Sequence, residues 1–137
     1  FLSHSEKSKA KMVASVDEPK RTSSWNAVTS FYQPGWLREQ GLALIRIHTG
    51  VTHQIRVTLA ALGSPLEKDS LYEKVKLLKP LPVFEKLDPS TLSRFQGLEG
   101  ELEWIQIDRK KLVLHALWVA SPEIPELTNG CLAPLPN

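Results

Sequence analysis

Gly41-Leu-Ala-Leu-Ile-Arg-Ile-His-Thr-Gly-Val-Thr-His-Gln-Ile-Arg-Val-Thr-Leu-Ala-Ala-Leu-Gly-Ser-Pro65 changes its hydrophobic period part-way along. In its first part, Leu42, Leu44 and the alternation around Ile45 and Ile47 suit a strand with one buried face. Thr49-Gly50 is a turn signal. Beyond it Ile55, Leu59 and Leu62 recur at i, i+4 and i+7, the spacing of one helix face, while Gly63 stands where a helix stops and Pro65 bars its continuation. A strand followed at once by an amphipathic helix places the chain in the α+β class.

Upstream, Trp25-Asn-Ala-Val-Thr-Ser-Phe-Tyr32 is rich in β-branched and aromatic residues and is closed by Pro34-Gly35, which predicts another strand. Downstream, Leu112-Val-Leu-His-Ala-Leu-Trp-Val-Ala120 is the most hydrophobic run and reads as a central strand, ended by Pro122 and Pro125. Between them, Pro80, Pro82 and Pro89 interrupt the chain, Thr91–Phe95 suits a helical turn, and Glu101–Ile107 alternates as a strand does. The expected architecture is a mostly antiparallel or mixed sheet built from strands near 26–32, 42–48, 102–107 and 112–120, with the 52–62 helix flanking one face. Residues 1–24 read as a flexible basic arm or a lead into a strand, carrying Lys7, Lys9, Lys11, Lys20 and Arg21, with the short run Lys11–Val16 as the strand-like part. The proline-rich tail to Asn137 reads as irregular.

The 137 residues fit one modest domain of ordinary globular composition, 42% hydrophobic and 23% charged. With 17 basic against 15 acidic residues, no global cationic field announces nucleic acid, so any RNA site is local. The single cysteine, Cys131, excludes an internal disulfide and a thiol pair for zinc, and points toward a reducing compartment. No run of about eighteen apolar residues offers a membrane-spanning helix. The chain starts with Phe1 rather than Met, which suggests a piece of a longer protein.

On a helical wheel Ile55, Leu59 and Leu62 fall within about 60°, Arg56 lies about 60° beyond one edge and His53 about 60° further round. Arg56 therefore stands at the margin of the apolar face, where its stem can rest on neighbours and its charged fork can aim at something beside the helix; His53 shares that flank. In isolation such an arginine is more often a structural or surface residue, and such a histidine a satisfied structural one.

His48-Thr-Gly-Val-Thr-His-Gln-Ile-Arg-Val-Thr-Leu-Ala-Ala-Leu-Gly-Ser-Pro-Leu66 resembles the Thr-Gly-Arg-Thr-His-Gln-Ile-Arg-Val-His motif of RluA-type RNA pseudouridine synthases, which runs on into Leu-Ala-Leu-Gly-His-Pro. In the same order, Ala27-Val-Thr-Ser-Phe-Tyr32 resembles the family's Ala-x-Thr-x-Tyr strand, Lys68-Asp-Ser-Leu-Tyr72 its Gly-Asp-x-Leu-Tyr, and Leu112-Val-Leu-His-Ala116 its Leu-x-Leu-His-Ala strand. The chain departs from these strings at Val51, Thr58, Ser64, Lys68 and Ser121. Residues 73–110 match nothing in the family and read as a divergent insertion, so that 25–137 forms the C-terminal part of a synthase-like domain.

The resemblance implies half of a pseudouridine synthase catalytic fold, acting on RNA (rRNA or tRNA) without metal or organic cofactor. It implies that the essential aspartate, in a His-Arg-Leu-Asp motif, and an assisting tyrosine belong to a missing N-terminal half. Arg56 then carries over as the arginine that pairs with that aspartate, with Thr52, His53, Gln54 and His115 forming an RNA-binding or active-site wall. On that reading Arg56 has no essential partner inside this chain, and the chain alone is inactive. Glu85-Lys-Leu-Asp-Pro-Ser-Thr91 echoes the aspartate motif, but it follows the arginine motif instead of preceding it, so Asp88 is set aside as a nucleophile. Tyr72 reads as a packing residue, and so do Trp25, Trp36, Trp104 and Trp118. The rival from another class is a non-catalytic RNA-binding or ribosome-associated protein descended from the synthases.

Overall fold

The computed structural model describes residues 1–20, 23–79 and 84–102, with the pairs 118–119 and 131–132; for residues 8–10, 101 and those two pairs it describes the backbone alone. The chain divides into two compact units, residues 1–102 and 103–137. In chain order the first holds strands β1 (Leu2–Ser5), β2 (Ser8–Ala14), β3 (Ser24–Trp25) and β4 (Thr29–Tyr32), helix α1 (Gly35–Glu39), strand β5 (Leu44–Ile47) and helices α2 (Gln54–Ala61) and α3 (Pro89–Leu102). The second holds β6 (Trp118–Val119), paired antiparallel with β7 (Cys131–Leu132).

The class is α+β, and every described strand pairing is antiparallel. The described strands do not join into one sheet: β2-β1-β3 form one, β4-β5 a second and β6-β7 a third. The expected strand from Trp25 to Tyr32 is in fact two, β3 bonding to β1 and β4 to β5. Of the expected strand at 101–107, Glu101 and Leu102 are the end of α3, and the rest lies outside the described residues. Leu112–Ala120 lies outside them too, apart from β6, and β7 gives the expected irregular tail a short strand.

Within the N-terminal stretch, β1 and β2 pair as an antiparallel hairpin. Leu2 pairs with Ala14 and His4 with Met12, so Leu2, Met12 and Ala14 share one face of a hairpin by the two-residue period of strands. That face closes over a core of Leu2, Met12, Val57, Ala60 and Tyr72. The buried side of α2 is accordingly not the one its large side chains suggest. Gln54, Val57, Ala60 and Ala61 are buried, whereas Ile55, Leu59 and Leu62 are only half-buried. Small side chains let the hairpin and Tyr72 approach the helix closely, so proximity outweighs the size of the opposite stripe. Arg56 and His53 flank this inner face.

Helix α2 ends where the sequence places its stop. Gly63 sits at φ 90, its N–H donates to the Ala60 carbonyl at 3.0 Å, and the Ser64 N–H donates to the Leu59 carbonyl at 2.9 Å. This pair of bonds closes the last turn and requires left-handed backbone at Gly63.

Helix α3 is longer than the single turn expected, because its glycines hide it. Asp88 supplies the N-cap: its Oδ1 accepts from the Ser90 N–H at 3.1 Å, the Ser90 hydroxyl at 2.7 Å and the Thr91 N–H at 3.0 Å, with Pro89 as the first helical residue. Those bonds, from the Ser90 side chain first, hold the Asp88 carboxyl below its ordinary range. The inner face of α3 meets β4, α1 and β5. Phe95 stacks on Tyr32 with ring centres 5.5 Å apart, Glu99 accepts from the Tyr32 hydroxyl and the Trp36 indole N–H at 2.6 Å each, and Arg46 donates to Thr91 Oγ1 at 2.9 Å. The bond to Glu99 pushes the Tyr32 hydroxyl above its ordinary pKa.

Two glycine substitutions should therefore act in opposite directions. A methyl at Gly97, in the exposed middle of α3, meets nothing within 4 Å, so Gly97→Ala should raise stability by about 0.5–1 kcal/mol through helix propensity. Gly63→Ala should lower it by about 1–2 kcal/mol, since its φ is left-handed. Urea unfolding of the two variants checks both signs.

Candidate functional site

The residues singled out by sequence start at the turn before α2. Thr49 Oγ1 accepts the Val28 N–H at 2.9 Å and donates to Gln54 Oε1 at 3.0 Å. Gln54 Oε1 also accepts the Val51 N–H at 3.2 Å, and its Nε2 donates to the Val28 carbonyl and to Thr29 Oγ1 at 2.9 Å each. A backbone N–H can only donate and a carbonyl can only accept, so the amide orientation is determined. Every described bond of Gln54 is internal and the side chain is buried, so it pins α2 to β4. Thr52 is exposed. His115 lies outside the described residues.

Arg56 is where the structure departs most from expectation. Its Nε donates to Asp69 Oδ2 at 2.8 Å and its Nη2 to Asp69 Oδ1 at 2.6 Å, a two-pronged ion pair within this chain. The Asp69 side chain is 4% exposed and that of Arg56 is 31%. The hydrogen bonds from Arg56 hold the Asp69 carboxyl below its ordinary 3.8; burial pushes the other way and is outweighed, with the Tyr72 and Leu71 backbone N–H groups adding to the lowering. Asp69 in return raises the Arg56 guanidinium pKa further. Arg56 thus has a charged partner inside this chain, Asp69, which the sequence did not assign to it. Lys68-Asp69 follows α2 after a short loop, and sequence spacing alone does not show that the loop returns to the first turn of the helix.

Tyr72 completes the cluster from below. It is fully buried, its hydroxyl accepts the Met12 N–H at 2.9 Å, and it lies 2.9 Å from His53 Nδ1. The Arg56 guanidinium sits over its ring at 5.2 Å and the Lys11 ammonium at 5.8 Å, in the range of cation–π attraction. His53 meets the same ring edge-on at 5.7 Å. Of the expected site residues, His53 and Arg56 are brought together. Asp69 and Tyr72 are the partners that sequence reasoning did not assign to the site; the signal for them was Asp69-Ser-Leu-Tyr72 standing in the family's order.

Two left-handed residues border the cluster, His53 at φ 55 and Lys68 at φ 62. The second stands where the resembling string has glycine, the residue that adopts this backbone without a steric penalty. Of the tryptophans, Trp36 is half-buried against Glu99, Trp25 is exposed with an edge-on contact to His4, and Trp104 lies outside the described residues.

Among the described residues, no group of three or more His, Cys, Asp or Glu side chains is placed to hold a metal, and no helix is long and apolar enough to cross a membrane. A shallow depression of about 300 Å³ on the β1–β2 hairpin is lined by Ser3–Lys7 and Val13, none of them in the cluster. No family profile, curated protein or solved structure matches the chain.

Arg56→Met should destabilise the chain by about 2–3 kcal/mol. This falls below the roughly 3–5 kcal/mol of a fully buried pair, because water still reaches the guanidinium. The carboxyl of Asp69 titrates lower in the folded chain than in the unfolded one, so its contribution is complete above the unfolded value near 3.8 and is lost as pH falls through the folded value. Asp69→Asn should accordingly flatten the acid limb of stability against pH, read by denaturant unfolding below about pH 4. Relief of the left-handed strain predicts that Lys68→Gly raises the melting temperature and Lys68→Val lowers it, each by about 1 kcal/mol equivalent.

Proposed function

We propose that this chain is the C-terminal half of the catalytic domain of an RluA-type RNA pseudouridine synthase, with Arg56 as its contribution to an active site whose aspartate comes from the N-terminal half. The observation that carries this reading is the convergence of the motif residues. Arg56 and His53 come from one resembling string and Asp69 and Tyr72 from another, and the four make one contact cluster. The left-handed Lys68, at the position of the family's glycine, supports it independently.

The geometry suits the role. Asp69 occupies Nε and Nη2 of Arg56, and Nη1 has no hydrogen-bond partner among the described residues, so one edge of a rigidly held guanidinium remains for a second carboxylate. That carboxylate would be kept ionised beside the arginine. Because Asp69 already answers much of the charge, Arg56 offers the second carboxylate direction more than field. In the implied reaction the N1–C1′ bond of uridine breaks, the base turns, C5 bonds to C1′, the proton on C5 is lost, and N1 takes up a proton.

The in-chain pair also favours a second reading, a non-catalytic RNA-binding descendant in which Arg56 serves the fold through Asp69. Tritium release from RNA carrying [5-³H]uridine separates the two. The chain alone should release nothing above background, and a full-length parent with the N-terminal half should turn over. Arg56→Lys in that parent, compared at equal folded fraction, should lower the single-turnover rate by about a hundredfold, or ~2.7 kcal/mol. Full activity of the folded Arg56→Lys parent would move the assignment to the second reading, and turnover by the chain alone that Asp88→Ala abolishes would relocate the nucleophile.

A further inference from the structure

Helix α3 stands apart from the packing that holds the rest of its unit. The core cluster of Leu2, Met12, Val57, Ala60 and Tyr72 contains none of its residues. Whereas α2 comes close to β2 along the backbone, α3 makes no comparable approach to any described strand or helix. Side chains hold it instead: Phe95 on the Tyr32 ring, Glu99 on Tyr32 and Trp36, and Thr91 on Arg46. Gly97 and Gly100 lie exposed along it with nothing within 4 Å, so each lowers helix propensity without close packing in return. An element with few buried contacts and poor intrinsic propensity opens before the core does.

What α3 covers is a set of donors beside a flat ring. The Tyr32 hydroxyl on β4 and the Trp36 indole N–H on α1 converge on the two oxygens of one carboxylate, at 2.6 Å each. An indole N–H can only donate and a carboxylate can only accept, so Glu99 fills this two-donor fork as an acidic ligand would. Arg46, opposite Ser30 in the β4–β5 pair, meets the same helix through its Nη1 bond to Thr91.

We propose that α3 is a displaceable strap, and that the fork of Tyr32 and Trp36 beneath it binds a phosphate oxygen of a single RNA strand once Glu99 leaves. A phosphate oxygen answers the two donors as the carboxylate does. Arg46, freed of Thr91, adds positive charge, and the Tyr32 ring, freed of Phe95, takes a base in stacking. The choice of RNA rests on the reading above; the strap and the acidic-oxygen fork do not. Because the closed chain occupies its own fork, its affinity for RNA is scaled down by the fraction of molecules in which the strap is open.

Native-state hydrogen exchange of the full chain tests the strap. The amides of α3 should exchange as one group, through openings more frequent than those of α2 and the β1–β2 hairpin. Glu99→Gln leaves one acceptor oxygen for two donors and should make these openings about tenfold more frequent, while Gly97→Ala should make them about twofold to fivefold rarer. Short single-stranded oligouridine should bind tightest to Glu99→Gln and weakest to Gly97→Ala. The Trp36 indole N–H signal, assigned through Trp36→Phe, should move as it binds. Tyr32→Phe added to Glu99→Gln should weaken oligouridine by about twofold to tenfold, the net worth of one donor, without closing the strap. Should Glu99→Gln not fold, the wild-type and Gly97→Ala chains carry the same comparison. Exchange of α3 only through global unfolding overturns the inference. So does oligouridine that fails to bind, that leaves the Trp36 signal unmoved, or that binds the strap variants equally. An oligoglutamate peptide that moves the signal where oligouridine does not also overturns it, and assigns the fork to an acidic protein. Tritium release in the parent decides the synthase reading separately: an inactive parent whose fork still binds oligouridine removes that reading and keeps this one, and an active parent whose fork binds nothing does the reverse.

Discussion

The guanidinium of Arg56 and the carboxylate of Asp69 depend on each other, and three parts of the chain depend on the pair. Asp69 is nearly buried, and a carboxylate there stays ionised only with a cation at hydrogen-bond distance. Arg56 is partly exposed and long, and without two bonds to a fixed acceptor it would sample many rotamers. Their mutual capture draws the 66–72 loop against the first turn of α2, and that places Tyr72 beneath both. Tyr72 then reaches across to the Met12 N–H of β2, so the N-terminal hairpin is tied to the helix by the same cluster.

The consequence for chemistry is a distinction between having a charge and aiming one. An arginine with no in-chain partner would meet an incoming carboxylate or phosphate at full charge but in many orientations. Arg56, held by Asp69, presents reduced charge in one orientation, with Nη1 on the open edge. Pre-orientation lowers the entropy lost on binding, and the remaining field near the cluster comes partly from Lys11. Gln54 has the opposite fate. Its amide makes four bonds inside the protein, so a residue that looks available in the string His53-Gln54-Ile55-Arg56 is committed to holding the helix in place.

The same economy shows in the two helices that the hydrophobic pattern reads poorly. In α3 the apolar residues are sparse, and the element is held by a capping aspartate and by a carboxylate, Glu99, bonded to a tyrosine and a tryptophan. In α2 the stripe of larger side chains is half-buried, while Val57 and two alanines form the inner face. Periodicity counts hydrophobic size along the chain. Burial is decided by which face another segment reaches.

Local signals determined what local physics governs. The change of period between Leu44 and Leu62 announced a strand followed by a helix, Gly63 announced a stop that needs left-handed backbone, and the α+β class followed from these. The candidate pair of His53 and Arg56 was legible as well, as residues three apart at the start of the helix, although His53 itself stands just before α2 in left-handed backbone. Only the tertiary structure decided what they touch. Asp69 lies thirteen residues from Arg56 and Met12 lies sixty from Tyr72, and no periodic pattern encodes contacts at such separations. They form because the Arg56–Asp69 pair closes the 66–72 loop on α2 while burying Tyr72, Met12 and Val57 together brings the hairpin to the same point, where its polar groups must also be satisfied.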